Sequence, residues 1–274
     1  MTAKPPLTEY PIYEDEGDAP VMEMERRLWW IAGRKNILRR ILDRAVAIRP
    51  VRRILDLGCG SGNNFDLLAP YGQVIGCDSS PVQVRRARSR GIATEVFVTE
   101  GDLFEQPFGE PFQLTCLFDV IEHMHDDVGF LARLNRRVET GHLLLVSVPA
   151  CPSLYGPHDR LLEHFRRYKL KGLEELLASH GFRVIWSNHF VTLLFPFIAL
   201  LRLIEKWRDK LGKPQQKVNI GNMPGWVNPI LRGILAFEAA IANRVPMPFG
   251  LWAIALAEKV EDSVAPPKAR MQQR

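Results

Sequence analysis

An α/β fold, with a parallel sheet covered by helices on both faces, is what this 274-residue sequence predicts. Three observations carry the expectation. Between residues 52 and 148 short apolar runs alternate with helical patterns, as in βαβ units. A glycine-rich turn joins the first strand of that series to its first helix, and an acid follows the second strand. Apolar residues make up 46% and charged residues 24% of the chain. That is the balance of a globular domain, and it excludes a wholly disordered chain, a collagen-like fibre and a polytopic membrane protein. The length suits one large domain, or one domain with an appended subdomain.

Residues 1–20 are rich in proline and acid and read as a loose arm. Residues 21–48 read as a helix, with Leu28, Ile31, Leu38, Ile41, Leu42 and Ala45 at helical spacing, and Pro50 ends it. Strands follow at 54–57, 73–77, 95–98, 114–118 and 143–148, and a sixth at 182–187. Helices fill 63–69, 81–90, 126–138 and 172–180. Ser80-Pro81 is a good helix start, an N-cap with proline at the first helical position. Residues 149–170 show no clear element. Residues 190–211 and 228–244 read as helical insertions around a Gly/Pro/Asn-rich loop, and 251–257 as a final strand. The domain expected is 51–262 with an insertion at 190–245, preceded by an arm and helix at 1–50 and followed by a disordered tail at 263–274.

Cys59, Cys77, Cys116 and Cys151 form no C-x-x-C pair and no zinc spacing, and read as reduced thiols of a cytoplasmic protein. The N-terminus has no apolar segment of the secretory type. The most apolar run, FVTLLFPFIALL at 190–201, contains Pro196 and is too short to span a bilayer, which needs about 20 residues. The net charge of +5 is compatible with anionic partners without identifying one. Arg85, Arg86, Arg88 and Arg90 read as a solvated helix face, because no aromatic stacking platform accompanies them; no nucleic-acid partner is expected.

The sharpest signal is ILDLGCGSGNN at 54–64. Gly58, Gly60 and Gly62 between a strand and a helix permit positive φ and close approach of a ligand to backbone N–H groups. Asp78, at the tip of the second strand, stands where an acid accepts hydrogen bonds from ribose hydroxyls. The G-x-G-x-G spacing is one residue shorter than the dinucleotide fingerprint, and no triphosphate loop is present.

This arrangement resembles the class I S-adenosylmethionine-dependent methyltransferases over residues 52–148, and more loosely over the whole chain. The resemblance implies a Rossmann-like seven-stranded sheet, order 3-2-1-4-5-7-6 with the seventh strand antiparallel, and S-adenosyl-L-methionine as cofactor. It implies that Asp56, Gly58, Cys59, Gly60 and Gly62 hold the methionine part of the cofactor and that Asp78 and Ser79 hold the ribose. It places Asp102 and Leu103 at the adenine, and Asp119 and Val120 in a segment closing over the cofactor. Trp29-Trp30…Arg34, DVIEHM at 119–124 and PHDRLLEHFRRY at 157–168 are similar to the ubiquinone-biosynthesis-like (type 11/23) branch. In that branch the N-terminal helix lies over the cleft, so the helix ending near residue 48 reads as a lid or as core.

The chemistry implied is displacement at a sulfonium methyl, most simply toward oxygen of a small-molecule or lipid-linked acceptor. An oxygen acceptor calls for a base, and His123, His158 and His164 are the candidates because they follow strands four and five. Asp119, Glu122 and His123 would also gather a divalent cation; that metal is an alternative, not the expectation. Trp30, Arg166, Arg167 and Tyr168 are candidates for holding the acceptor, with the arginines suited to a carboxylate or phosphate. The apolar insertions read either as cover for the sheet or as an interfacial face, through 190–213, that would place the protein peripherally at the inner side of the membrane. A non-catalytic cofactor-binding scaffold and an RNA methyltransferase are the rival functions. No RNA-binding module is evident.

Overall fold

A computed structural model describes residues 28–99, 110–212 and 226–261. The expected arm at 1–20, the tail at 263–274, and Asp102 and Leu103 lie outside the described residues. The strands are β1 (Arg53–Leu57), β2 (Gln73–Asp78), β3 (Glu95–Val98), β4 (Leu114–Phe118), β5 (Leu143–Pro149), β6 (Phe182–Phe190) and β7 (Trp252–Lys259). They form one sheet of order β3-β2-β1-β4-β5-β7-β6, in which β7 runs antiparallel to both neighbours. The helices are α1 (Trp29–Ile48), α2 (Phe65–Leu68), α3 (Pro81–Ser89), α4 (Asp127–Arg137), α5 (Pro157–Leu161), α6 (Leu170–Ser179), α7 (Phe195–Lys210) and α8 (Val227–Ala242).

Alternation along the strands divides the core into two layers. Ile54, Leu114, Cys116 and Leu145 point toward α1, whose Ile37, Leu38, Ile41 and Leu42 are fully buried. Leu55, Leu57, Leu117 and Val146 point the other way, against Phe130 and Leu134 of α4 and Leu173 and Leu177 of α6. In this pattern Asp56 falls on the α1 side, at a position its neighbours would fill with an apolar side chain. Helix starts follow local chemistry: the Ser80 hydroxyl accepts from Gln83 N–H and the Asp126 carboxylate from Gly129 N–H.

Four details differ from the sequence expectation. β6 runs on to Phe190, three residues beyond the expected strand, because it pairs with β7 out to Trp252 after a bulge between Val184 and Trp186. The first insertion helix therefore starts at Phe195 rather than at 190. The segment 149–170 contains the short helix α5. The arginine run on α3 is not simply solvated. Arg86 is 2% exposed, Arg88 donates to the Val96 carbonyl and Arg90 to the Ser61 carbonyl. These arginines thus brace the helix against β3 and the glycine turn. Cys59, Cys77 and Cys116 are free, buried thiols, and burial pushes all three pKa values up.

Candidate active site

The parallel strands deliver their C-terminal ends to one edge of the sheet, and chain order reverses between β1 and β4. An open sheet leaves a ligand-binding crevice at such a point. The turn after β1 is tied to the end of β2: Gly58 and Cys59 N–H both donate to the Cys77 carbonyl, at 2.8 and 3.0 Å. Asp78 braces the turn further, one oxygen accepting from Gly60 N–H at 2.8 Å and the other from Ser80 N–H at 2.9 Å. Ser79, between them, is exposed. Gly58 and Gly60 have φ of +74° and +53°, values that disfavour any residue with a Cβ. A Cβ on Gly58 would lie 2.6 Å from Val120 Cγ2, whereas one on Gly60 would meet nothing within 4 Å. Gly58 thus lets the loop after β4 close down, and Gly60 leaves open space for a ligand beside the backbone.

Beneath the turn lies Asp56, 1% exposed, with both carboxylate oxygens lacking a hydrogen-bond partner. Burial pushes its pKa up to about 7, against the pull of Arg34 and with the help of Asp78. A carboxyl whose folded pKa is raised holds its proton after the unfolded chain has lost it. Stability then falls as pH rises from about 4 to about 7 and is level above that. We predict that Asp56→Asn flattens this decline and stabilises the ligand-free protein at pH 8 by roughly 2–4 kcal/mol. Urea unfolding of the two proteins at pH 5 and pH 8 checks this; parallel pH profiles would refute it.

Asp119 leaves β4 in the left-handed region, φ +58°, while its N–H donates to the Ser147 carbonyl at 2.8 Å. Its carboxylate is held by the Arg34 guanidinium of α1 and by Trp252 Nε1 of β7 at 3.0 Å. Trp30 stacks on Trp252, centroids 6.3 Å apart and planes 12° apart. The first helix and the last strand therefore meet over the end of β4. Arg34 also exerts a positive field on Asp56 and Glu122, so one guanidinium serves three carboxyls.

Beyond Asp119 a second group forms. Ligand atoms of Glu122, His123 and His164 all lie within 4.8 Å of one another. The two imidazoles meet edge to face, with centroids 4.7 Å apart. Glu122 is fully buried with neither carboxyl oxygen hydrogen-bonded; burial and then the Asp119 charge push its pKa well up. Burial, with His164 nearby, takes His123 down to about 4, so its ring is neutral at pH 7. His164 Nδ1 faces Asp159 Oδ1 at 3.2 Å. Asp159, fully buried, also accepts from Arg167 Nε at 2.7 Å and from Gly156 N–H at 2.9 Å. Burial alone would raise the Asp159 pKa, but these partners outweigh it and hold the carboxyl at about 2.

The histidines suggested by the sequence thus divide. His123 and His164 share one cluster. His158, on α5, has a buried Nδ1 without a hydrogen bond and is driven down to about 3 by burial and by Arg202 of α7. The group whose ligand atoms lie close enough to hold a cation is not the alternative set raised from sequence: Asp119 is engaged by Arg34 and Trp252, and His164 stands with Glu122 and His123 instead. Arg166, Arg167 and Tyr168 build a wall. Arg166 bonds the Asp127 carboxylate and the His125 carbonyl, Arg167 also reaches the Ala150 carbonyl, and Tyr168 donates to Asp127 at 2.7 Å. Two residues that sequence reasoning did not assign to the site, Arg34 and Trp252, hold Asp119. Arg34 had a signal, a charge inside the apolar stripe of its helix; Trp252 had none.

A model of the methyltransferase-domain family matches residues 30–186, more than half of the chain. The chain belongs to that family. A Mycolicibacterium smegmatis protein named "Probable S-adenosylmethionine-dependent methyltransferase" is 28% identical over 172 residues, covering 61% of this chain and 65% of the relative. The Mesorhizobium japonicum ubiquinone biosynthesis O-methyltransferase is 32% identical over 109 residues, covering 37% and 43%. The Deinococcus radiodurans trans-aconitate 2-methyltransferase is 32% identical over 114 residues, covering 40% and 43%. The chain thus spans less than two thirds of the length of these relatives. The fold is shared with a chain from the Haloferax volcanii complex of the Trm112 methyltransferase activator and a methyltransferase (TM-score 0.53, 17% identity, 90% and 96% covered). The seven-stranded order and antiparallel seventh strand are those expected for this methyltransferase family.

Proposed function

We propose that this chain is an S-adenosylmethionine-dependent methyltransferase acting on an oxygen of a small-molecule or lipid-linked acceptor. The observation that carries it is the unpartnered, buried Asp56 beneath the open Gly60 turn. An acid left without a partner in the core is costly, and a ligand bearing an ammonium group and a sulfonium would offset that cost. The names of the three relatives support the same class of chemistry.

When bound, the cofactor supplies an electrophilic methyl group on a positively charged sulfur. The protein's own residues bind and orient. The turn from Gly58 to Gly62, with Cys59, would hold the methionine part, and Asp56 would offset its positive charge. Asp78 keeps a lone pair on each oxygen beyond its bonds to the turn, enough to accept from two ribose hydroxyls. Asp119, held by Arg34 and Trp252, would with Val120 cover the cofactor. His123, neutral at pH 7, takes the proton of the acceptor hydroxyl at a ring nitrogen. His164 orients His123 and is itself fixed by Asp159. Trp30 and the wall that includes Arg166, Arg167 and Tyr168 bound the acceptor side and keep water out.

Calorimetric titration of S-adenosylhomocysteine, followed by screening of acceptors with a labelled methyl donor, tests the reading. His123→Ala should lower turnover by roughly 10²–10⁴-fold with S-adenosylhomocysteine affinity unchanged within about twofold. No titration heat from folded wild type would sink the cofactor assignment, and full turnover in His123→Ala would remove its role as base.

A further inference from the structure

The outer surface of the insertion is arranged opposite to that of an ordinary helix on a globular domain. On α7, Phe197, Leu200, Leu201, Leu203, Ile204 and Trp207 are 42–63% exposed. Four of its six charged residues turn inward instead. Arg202 pairs with Glu205 at 2.8 Å, Lys206 donates to the Ser153 carbonyl at 2.9 Å, and Asp209 receives Arg160 of α5. Beside α8 the pattern recurs. Trp226, Ile230 and Phe237 are 52–68% exposed, while Glu238 is fully buried and accepts from Thr192 and Leu193 N–H. The exposed residues of these two helices include no acid; their charges are Arg208 and Lys210, at the C-terminal end of α7.

We infer that this face seats on a lipid bilayer carrying anionic headgroups. Exposed apolar residues at 197, 200, 204 and 207 follow helical spacing, so they form one stripe along the 16-residue helix. A stripe of this kind, with tryptophan and cations at its end, suits an amphipathic helix lying in the interface plane. Among the described residues no helix is long and apolar enough to cross a membrane, so the contact is peripheral. Charge complementarity favours the bilayer over a second copy of this chain. A two-fold contact between copies would bring Arg208 and Lys210 to a surface whose acids, Glu205 and Asp209, are half-buried and already paired with Arg202 and Arg160, whereas acidic headgroups supply the countercharge. The surface is distinct from the cleft, and the inference holds whether or not the acceptor is a lipid. The inward charges of α7 nonetheless grip residues 153 and 160, so the bilayer would lie beside the wall that carries His158 and His164.

Flotation of the full chain tests this, with vesicles of phosphatidylcholine alone and of phosphatidylcholine mixed with phosphatidylglycerol. Wild type floats with the mixed vesicles, and less at high salt. Combined Phe197→Ser, Leu200→Ser and Trp207→Ser weakens binding at least about tenfold, because the removed side chains are the inserted ones. Arg208→Glu with Lys210→Glu lowers binding to the mixed vesicles alone. Melting curves confirm that both variants are folded. Failure of wild type to float, or unchanged flotation of the triple variant, overturns the inference. So does a dimer in sedimentation that the triple variant dissolves while vesicles recruit nothing, since that assigns the face to a second copy.

Discussion

Asp78→Ala should weaken S-adenosylhomocysteine binding by ten- to a hundredfold, about 1.4–2.8 kcal/mol. Two losses combine. On the proposed reading the ribose hydroxyls would lose a charged acceptor, and hydrogen bonds to charged groups are worth about 1.5–3 kcal/mol. The Gly60 and Ser80 N–H groups also lose the carboxylate that holds the turn in its binding shape. Asp78→Asn separates the terms, because its one remaining oxygen keeps part of the brace without the charge; it should fall between wild type and Asp78→Ala. Calorimetry at pH 7.5 on all three, with circular dichroism as a check of folding, reads the result. Equal affinity for wild type and Asp78→Ala would remove Asp78 from the cofactor site.

The largest effect on stability is expected at Asp159. This carboxylate is fully buried and accepts from Arg167, His164 and Gly156 N–H, with Arg167 itself only 6% exposed. Asp159→Ala leaves a buried guanidinium without its anion, and breaking a buried pair in this way costs about 3–5 kcal/mol. At this chain length that lowers Tm by roughly 8–15 °C. The pH dependence has a defined sign. The folded pKa, about 2, is depressed below the ordinary carboxylate value. The contribution is therefore complete above about pH 4 and is lost as pH falls toward 2. Arg160→Ala serves as the control. Its pair with Asp209 is half-exposed, and such pairs are worth at most about 1 kcal/mol. Comparable losses in the two variants would show that the Asp159 network does not hold the wall.

Much of this was legible from local pattern. Strand and helix alternation, the glycine turn and Ser80-Pro81 depend on neighbours a few residues apart, and each appears where its spacing puts it. The misses were of another kind. Local pattern ends β6 three residues early because His189 and Phe190 owe their strand conformation to pairing with Ala253 and Trp252. The arginine run of α3 looks solvated in sequence because the carbonyls it meets, of Ser61 and Val96, come from other parts of the chain. The apolar insertion reads from sequence either as cover for the sheet or as an interfacial face, and in the structure α7 turns Phe197, Leu200 and Trp207 outward while Arg202 pairs with Glu205.

Periodicity and turn chemistry act over short chain distances, and so they carry the α/β class, the order of the strands along the chain, the glycine turn and the acids at the strand tips. The partnerships come from the folded chain: Asp119 with Arg34 and Trp252, His164 with Asp159, and Glu122 and Asp56 with carboxyl oxygens that lack a hydrogen bond. Asp119 and Trp252 are 133 residues apart in the chain and meet because β7 pairs antiparallel beside β5. Whether a buried charge finds its counter-ion is thus set by strand order and register, which no local pattern of residues records.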